Sequence, residues 1–585
     1  MKEKIKQILN KRWEVKFFEN LSNIIKKFSI SEKLFFYFLC VLFILSGLAL
    51  LNQVNNFASV QVPTNGGYLK EGIIGSPRFV NPVLAISDVD YDLAELIYSG
   101  LMKSGKNNSL TTDLAKDYDI SKDGLIYTFK LKDDIYFQDG VKVTTDDVEF
   151  TINKIQDSTI KSPKRPRFYD VKVEKVDEKT IKFILKKPYS PFLENLTIGI
   201  LPKHLWDNLS SEQFPLSQYN VEPIGSGPYK VTKMETLTKN MLLIPTYYEL
   251  NAFDKYVADK PFIEQIIINF YKDEKSLINA YNNKEIESIN SISPDKIVNI
   301  KLQKNSSVKT SPLPRVFAVF FNQNQSEALA YKEVRQALNL AVNRNKIVND
   351  VLSDYGEPLN GPIPAGLINT PDSNGVSNID SAIKILTKAG WSISSSTGIM
   401  SKKISKIKTI QLSVVISTLN SDDLIKTAEL VKSDWEKIGA KVEIKQFDIG
   451  DLQQNIIRPR KFEALLYGEV IGKDMDLFAF WHSSQRNDPG LNITMYANTK
   501  VDKLLEDARA TLDTSSRIKK YEAFASEVEK DVPAIFLYSP EFIYIVPGKI
   551  QNIFLWTITL PFERFLNINN WYIETNNLWK MFLKN

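Results

Sequence analysis

Followed along its apolar and polar positions, the chain changes character near residue 66. Before that point it carries two apolar patterns. Ile5, Leu9, Trp13, Phe17, Leu21, Ile24 and Phe28 recur every three or four residues, and Lys4, Lys6, Lys11, Lys16, Lys26 and Lys27 fall mostly between them. This spacing predicts a basic amphipathic helix suited to an anionic membrane face, with a solvated basic tail as the alternative. Residues 34–51 (LFFYFLCVLFILSGLALL) then form an 18-residue run without a charge. Such a run crosses a hydrocarbon core of roughly 30 Å at about 1.5 Å per residue. Basic residues precede it, so residues 1–33 are expected in the cytoplasm and everything beyond 51 outside. A cleaved signal peptide would have a shorter apolar region and a shorter basic one. Residues 52–65 are polar without strong periodicity and are expected to be a tether.

From Gly66 onward helical and strand patterns alternate, which places the external part in the α/β or mixed α+β class. Leu125, Tyr127, Phe129 and Leu131 alternate with other residues behind a Ser121-Lys122-Asp123-Gly124 turn, and predict a strand. Ser421-Asp422-Asp423 has the form of a cap with an acidic first turn. Leu424, Ala428, Val431, Trp435 and Ile438 keep helical spacing after it, and Gly439 ends the helix. Residues 441–444 are strand-like. Residues 378–390 repeat the cap, helix and glycine design around Ile379, Ala382, Ile383 and Leu386. Residues 392–401 are expected to be a small-residue loop.

Composition narrows the function. With 585 residues, 43% hydrophobic and 24% charged, the chain is globular and far longer than one domain of about 100–200 residues. The net charge of +5 is concentrated in residues 1–33, which hold nine basic and four acidic residues; the remainder is neutral. A basic nucleic-acid surface is therefore unsupported. The single cysteine, Cys40, lies in the apolar run, so no disulfide forms within one chain. Two histidines, His204 and His482, nearly exclude a His/Cys zinc site, which needs three or four ligands. No nucleophile elbow, zincin helix or phosphate-binding loop is present. No catalytic residue, metal or cofactor is expected.

A series of landmarks carries a resemblance. In order they are residues 95–101 (ELIYSGL), 121–131 (SKDGLIYTFKL), 136–140 (YFQDG), 145–148 (TDDV), 188–193 (PYSPFL), 201–204 (LPKH), 223–229 (PIGSGPY), 334–339 (VRQALN) with 341–344 (AVNR), 361–364 (GPIP), 389–391 (AGW) and 531–535 (DVPAI). The ordered set resembles the large extracytoplasmic solute-binding proteins of oligopeptide, dipeptide and nickel ABC importers, family 5. Each landmark also has a plain physical role: the Asp-Gly pairs make turns, the glycines of Gly225-Ser226-Gly227 permit tight backbone, and Asp146-Asp147 suits a helix start. Arg335 and Arg344 are expected to make structural ion pairs.

The resemblance implies a two-lobed fold of the periplasmic-binding-protein type with an inserted subdomain, preceded by the transmembrane helix. One lobe would combine 66–105, 222–312 and 541–585; the inserted subdomain would be 106–221; the second lobe would be 313–540. Two chain crossings near 312–316 and 539–544 would form a hinge. It further implies capture of a short peptide in the interlobe cleft, closure on the ligand, and delivery to the permease subunits of an ABC transporter. In the family an aspartate pairs with the peptide ammonium. The corresponding stretch here is 466–476 (LYGEVIGKDMD), where Glu469 is the acid nearest that place, with Asp474 and Asp476 following. Trp481 offers a flat wall, and His482, Ser483 and Gln485 offer donors and acceptors beside it. Asn492 and Tyr496 would line the same wall, with Asn322 near the hinge and Asn81 and Asp88 on the first lobe. An oligosaccharide or a metal chelate is the rival ligand, and a surface receptor or chaperone uncoupled from transport is the rival role.

Overall fold

The computed structural model describes residues 23–105, 109–239, 242–364, 367–368, 375–472, 475–555 and 557–582. Most of the expected amphipathic stub lies outside them. The chain divides into two units, Met1–Thr64 with Glu574–Asn585, and Asn65–Ile573.

In the first unit a single helix, Ile30–Ala58, contains the apolar run. Ser29 caps it reciprocally with Glu32: the Ser29 amide donates to Glu32 Oε2 at 2.8 Å and the Glu32 amide to Ser29 Oγ at 3.4 Å. Its stretch Ile30–Asn55 is long and apolar enough to cross a membrane. The expected tether is not free chain. The helix continues to Ala58, and Ser59–Thr64 is a strand paired antiparallel with Glu574–Trp579. The partner strand lies about 500 residues away, so the local pattern held no sign of it.

The second unit is built on a twelve-stranded sheet. Its main order is Lys441–Phe447, Ser413–Leu419, Ala464–Val470, Arg315–Phe321, Ala534–Pro547, Ser288–Asn290, Tyr68–Ile74, Gln265–Tyr271, Leu242–Ala252 and Tyr229–Lys239. The central strand Ala534–Pro547 serves both halves. Its first part pairs with Arg315–Phe321 and its second with Ser306–Pro312. Between the pairs Pro312–Glu541 and Phe317–Tyr538, four residues stand opposite two, Ser539 and Pro540. The ladder is broken there, and Pro314 and Pro540 have no amide to donate. What remains is one backbone bond from Leu313 to the Pro540 carbonyl, 3.0 Å, and one from Ser539 Oγ to the Leu313 carbonyl, 2.5 Å.

Side chains fill the two halves separately. Along Arg315–Phe321, Val316, Ala318 and Phe320 enter one core, while Val319 and Phe321 enter another on the opposite face, as the period of two requires. Leu69, Leu93, Phe129, Ile152, Phe183 and Trp571 share one core. The segment expected as an inserted subdomain therefore has its own four-stranded sheet but no core of its own.

The elements expected around Ser421 and Asn378 are found as helices Asp422–Glu436 and Ile379–Lys388, and the strand as Ile126–Leu131. The loop expected at 392–401 is instead a hairpin of Trp391–Ile393 and Met400–Lys403 turning through Gly398 at φ +70°. Strands of three and four residues leave too little alternation to read.

Candidate functional site

A cavity of about 270 Å³ opens where the first half of the fold meets Gly472 of the second. Its walls hold charge of both signs. Lys164 and Arg167 come from the turn and short helix at 164–168, and Tyr91 faces them from helix Asp88–Ile97. Lys164 Nζ donates to the Tyr91 hydroxyl at 2.9 Å. Burial, with Arg167 beside it, lowers the Lys164 pKa to about 8. Glu95, Asp113, Lys103 and Tyr256 also line the space. Burial pushes the Asp113 carboxyl up, opposed by Lys103 and a Ser99 hydrogen bond, and its Oδ1 is buried without a partner among the described residues. A buried lysine and a carboxyl with a spare buried oxygen both suit a polar ligand. Among the described residues no group of three or more His, Cys, Asp and Glu side chains is placed to hold a metal ion.

The structure puts the expected ligand-binding residues elsewhere. Trp481 is core, packed on Tyr496, Phe524 and Phe536 with ring centroids 6.0 to 6.3 Å apart. His482 stacks on Phe478 at 4.0 Å, its Nδ1 accepts from the Ser484 amide, and its Nε2 lies 3.4 Å from Glu506. Ser483 gives its amide and hydroxyl to Asp502. Gln485 turns to Ser484 Oγ. Asn492 donates to the carbonyls of Trp481, His482 and Tyr496 and accepts from Thr494, and the Tyr496 hydroxyl binds Asp531 at 2.7 Å. Asp476 is held bidentate by Arg509, 2.8 and 2.6 Å. Asp474 lies outside the described residues. Asn322 ties the far end of its strand to the Arg460 carbonyl, away from the broken ladder. Asn81 is buried against Asn220 and Val83. Asp88 begins its helix, where surrounding protein raises its carboxyl against the pull of Arg315 and Arg564. Glu469 sits on the strand opposite Val316, buried, and desolvation alone drives its carboxyl well above the ordinary range. Among the described residues of the stretch 466–476, only Gly472 reaches the cavity.

The family model described as bacterial extracellular solute-binding proteins, family 5 Middle, matches residues 109–499. The chain belongs to this family. It is 28% identical over 524 residues to the oligopeptide-binding protein AppA of Bacillus subtilis, covering 87% of this chain and 92% of that one. Among solved structures, NikZ of Campylobacter jejuni in complex with Ni(L-His) superposes with a TM-score of 0.65 at 29% identity, over 86% of this chain and 99% of the other. AppA of Bacillus subtilis with a nonapeptide gives 0.64 at 26% identity, over 88% and 100%. The likeness to these two-lobed proteins extends over nearly all of the second unit.

Two of the family 5 landmarks, 95–101 and 223–229, contribute to the cavity wall. Segments 97–100, 197–199 and 225–227 approach so closely that no side chain fits between them. A Cβ on Gly225 would stand 2.0 Å from the Ile97 carbonyl oxygen, and one on Gly100 2.6 Å from that of Thr197. Gln138 ties the first of these segments to the third: its Nε2 donates to the carbonyls of Ile97 and Tyr229, and its Oε1 accepts from the Gly225 amide. Asp139 holds His204 at 2.7 Å, and Asp147 caps its own helix while accepting from the Lys203 amide. Arg335 and Arg344 are structural, but they bind backbone carbonyls (Val532, Asp531 and Leu329; Leu359 and Phe536) rather than carboxylates. Glu95, Tyr98, Ser99, Gly100 and Pro228 all lie within landmarks already visible in the sequence. Lys164 and Arg167 do not; the only hint of them was the basic run at 161–167.

Proposed function

We propose that this chain is the membrane-anchored capture component of an ABC-type importer, that its cargo is a short peptide, and that it carries out no catalysis. The observation that supports the cargo is the small cavity walled by lysine and arginine together with buried carboxyls, in a chain whose relatives include oligopeptide-binding and dipeptide-binding proteins. A peptide carries an ammonium and a carboxylate, and each would find a counter-charge: the carboxylate at Lys164 and Arg167, the ammonium at Glu95 and Asp113. A volume of about 270 Å³ falls at the lower edge of ligand pockets, which run from about 300 to 1,000 Å³, and suits two or three residues rather than nine.

Closure would work through the broken ladder. Two neighbouring crossings with few hydrogen bonds absorb a rotation at small cost. Ser190 of the first half donates its amide to the Arg509 carbonyl of the second at 3.1 Å, a latch between the two halves. A ligand touching both sides favours the shut form by the difference of its affinities for shut and open. The helix Ile30–Ala58 would span the membrane, with the nine basic residues of 1–33 on the cytoplasmic side and the binding unit outside.

Native mass spectrometry of the full chain released from nanodiscs tests the cargo, followed by calorimetry with di- and tripeptides, nickel–histidine and oligosaccharides. A retained peptide mass and peptide binding are expected. A sugar, or nickel–histidine bound in preference to peptides, would overturn the peptide reading.

A further inference from the structure

The strand Glu574–Trp579 has no part in ligand capture, yet it is fastened to the membrane helix. It pairs with Ser59–Thr64 from Ser59 opposite Trp579 to Thr64 opposite Glu574. Trp579 Nε1 donates to Asn55 Oδ1 at 2.8 Å, and Lys580 Nζ sits over the Phe57 ring, 5.1 Å from its centroid. A two-stranded ribbon is marginal in water and needs a surface to pack on. This ribbon and the turn after it expose what such a surface would cover: Phe57 is 81% exposed, Trp579 44%, Met581 74% and Phe582 64%. One exposed aromatic means little; four large apolar groups gathered at the end of a membrane helix call for an occupant.

Their height along the helix selects that occupant. The apolar run 34–51 rises about 27 Å, about 3 Å short of a hydrocarbon core of roughly 30 Å, and Phe57 follows six residues (about 9 Å) later, so it stands about 6 Å past the core. The headgroup layer beyond the hydrocarbon is about 5–8 Å deep on each side. Tryptophan, phenylalanine and a lysine at this level have the composition of an interfacial belt.

We propose that Phe57, Trp579, Met581 and Phe582 form a second membrane contact, seated in the outer headgroup layer of the bilayer crossed by the helix Ile30–Ala58. The inference rests on the anchor reading above. It makes the stretch before the binding unit a lipid-seated ribbon in place of a free leash.

The test uses the full chain in phosphatidylcholine nanodiscs with an environment-sensitive fluorophore on one cysteine at a time. The positions are native Cys40, and Met581→Cys or Ile407→Cys in a Cys40→Ser background; Ile407 is 98% exposed in the binding unit. Quenchers are iodide in the water and spin labels placed shallow or deep in the lipid. The expected result is a label at 581 shielded from iodide and quenched by shallow lipid spins, with the label at 407 quenched by iodide alone. Equal iodide quenching at 581 and 407 overturns the proposal. Shielding at 581 without lipid quenching also overturns it, because a protein surface then covers the ribbon. The label at Cys40 reports on the anchor separately: deep-spin quenching there upholds the span whatever 581 shows, and iodide quenching there removes both readings.

Discussion

Lys164 and Glu469 are both titratable and both short of partners, and their surroundings give them opposite uses. The Lys164 ammonium donates to the Tyr91 hydroxyl and lies over the Tyr91 ring, 4.3 Å from its centroid, and its pKa of about 8 leaves it mostly charged at pH 7 and mostly neutral by pH 9.5. Affinity for a peptide carboxylate should therefore fall as pH rises through about 8. Lys164→Met should remove that dependence and weaken binding about 10- to 100-fold, the worth of one charged hydrogen bond of about 1.5–3 kcal/mol. Calorimetry from pH 6.5 to 9.5 on both proteins measures it; an unchanged slope in the variant would clear Lys164 of the role. Glu469 acts on stability. Its folded pKa is raised by desolvation with nothing to oppose it. The folded state thus holds a proton that the unfolded state releases, and stability falls as pH rises from the ordinary glutamate range toward the folded pKa. Glu469→Gln should leave the melting temperature unchanged at pH 4, and at pH 8 raise it by the equivalent of about 1–3 kcal/mol, the cost of an unpaired buried polar group. At this scale the sequence misleads in a regular way. Asn492 and Tyr496 have the chemistry of a binding wall, but residue type does not say whether a donor is already spent: the Asn492 amide and the Tyr496 hydroxyl are taken by neighbours, whereas Trp481 Nε1 and His482 Nε2 are buried without a hydrogen-bond partner among the described residues. Gln138 shows the converse: its value lies in bonding two backbone segments, at Ile97 and at 225–229, that only the fold brings together.

Among the elements, those with a full turn of local evidence were legible and those made by distant partners were not. The helix Asp422–Glu436 advertises itself through five apolar residues at helical spacing and a glycine stop, and Gly439 indeed takes φ +83°. The strand Ser59–Thr64 and the broken ladder at 313–316 owe their form to chain hundreds of residues away. So does the function of Asp476. Its bidentate hold on Arg509 stiffens the end of helix Thr499–Ala510, where the Arg509 carbonyl accepts from the Ser190 amide of the first half. Arg509 also lies over the Phe478 ring at 4.0 Å, so the guanidinium is fixed on two sides. Asp476→Asn keeps the shape and removes the charge. It should weaken ligand binding through a faster off-rate, with a loss of about 1–3 kcal/mol for a charge-assisted pair that is only partly buried. Stopped-flow release measures this; a slower on-rate with unchanged release would place Asp476 outside the latch.

For the molecule as a whole, fold and family were readable because ordered turn and glycine landmarks survive in the sequence, whereas the charges that bind its segments together were hidden by separation. Arg564 is fully buried, bidentate to Asp92 at 2.7 and 2.8 Å and in contact with Glu71 at 3.1 Å. Glu71 in turn accepts from Asn290 at 3.2 Å and from the Tyr544 hydroxyl at 2.9 Å. The cluster thus joins the strand Tyr68–Ile74, the helix Asp88–Ile97, the segment around 564 and the long strand that serves both lobes. It holds two carboxyls for one guanidinium. Burial, aided by Glu71 and Asp88, raises the Asp92 pKa to about 6 in spite of Arg564. Because the folded pKa is above the unfolded one, this group's contribution is fully present below about pH 4 and is lost as pH rises through about 6. Arg564→Met would strand both carboxyls in the core, and removing one side of a buried ionic cluster costs about 3–5 kcal/mol. Protonation can relieve that cost. The deficit in unfolding free energy should therefore be large at pH 8 and shrink toward pH 5, where the carboxyls take up protons instead of a guanidinium. Urea unfolding of both proteins at the two pH values decides the matter: a deficit equal at both would mean that Arg564 is retained for its shape against Phe565 and Tyr544, and that charge is incidental to the core it occupies.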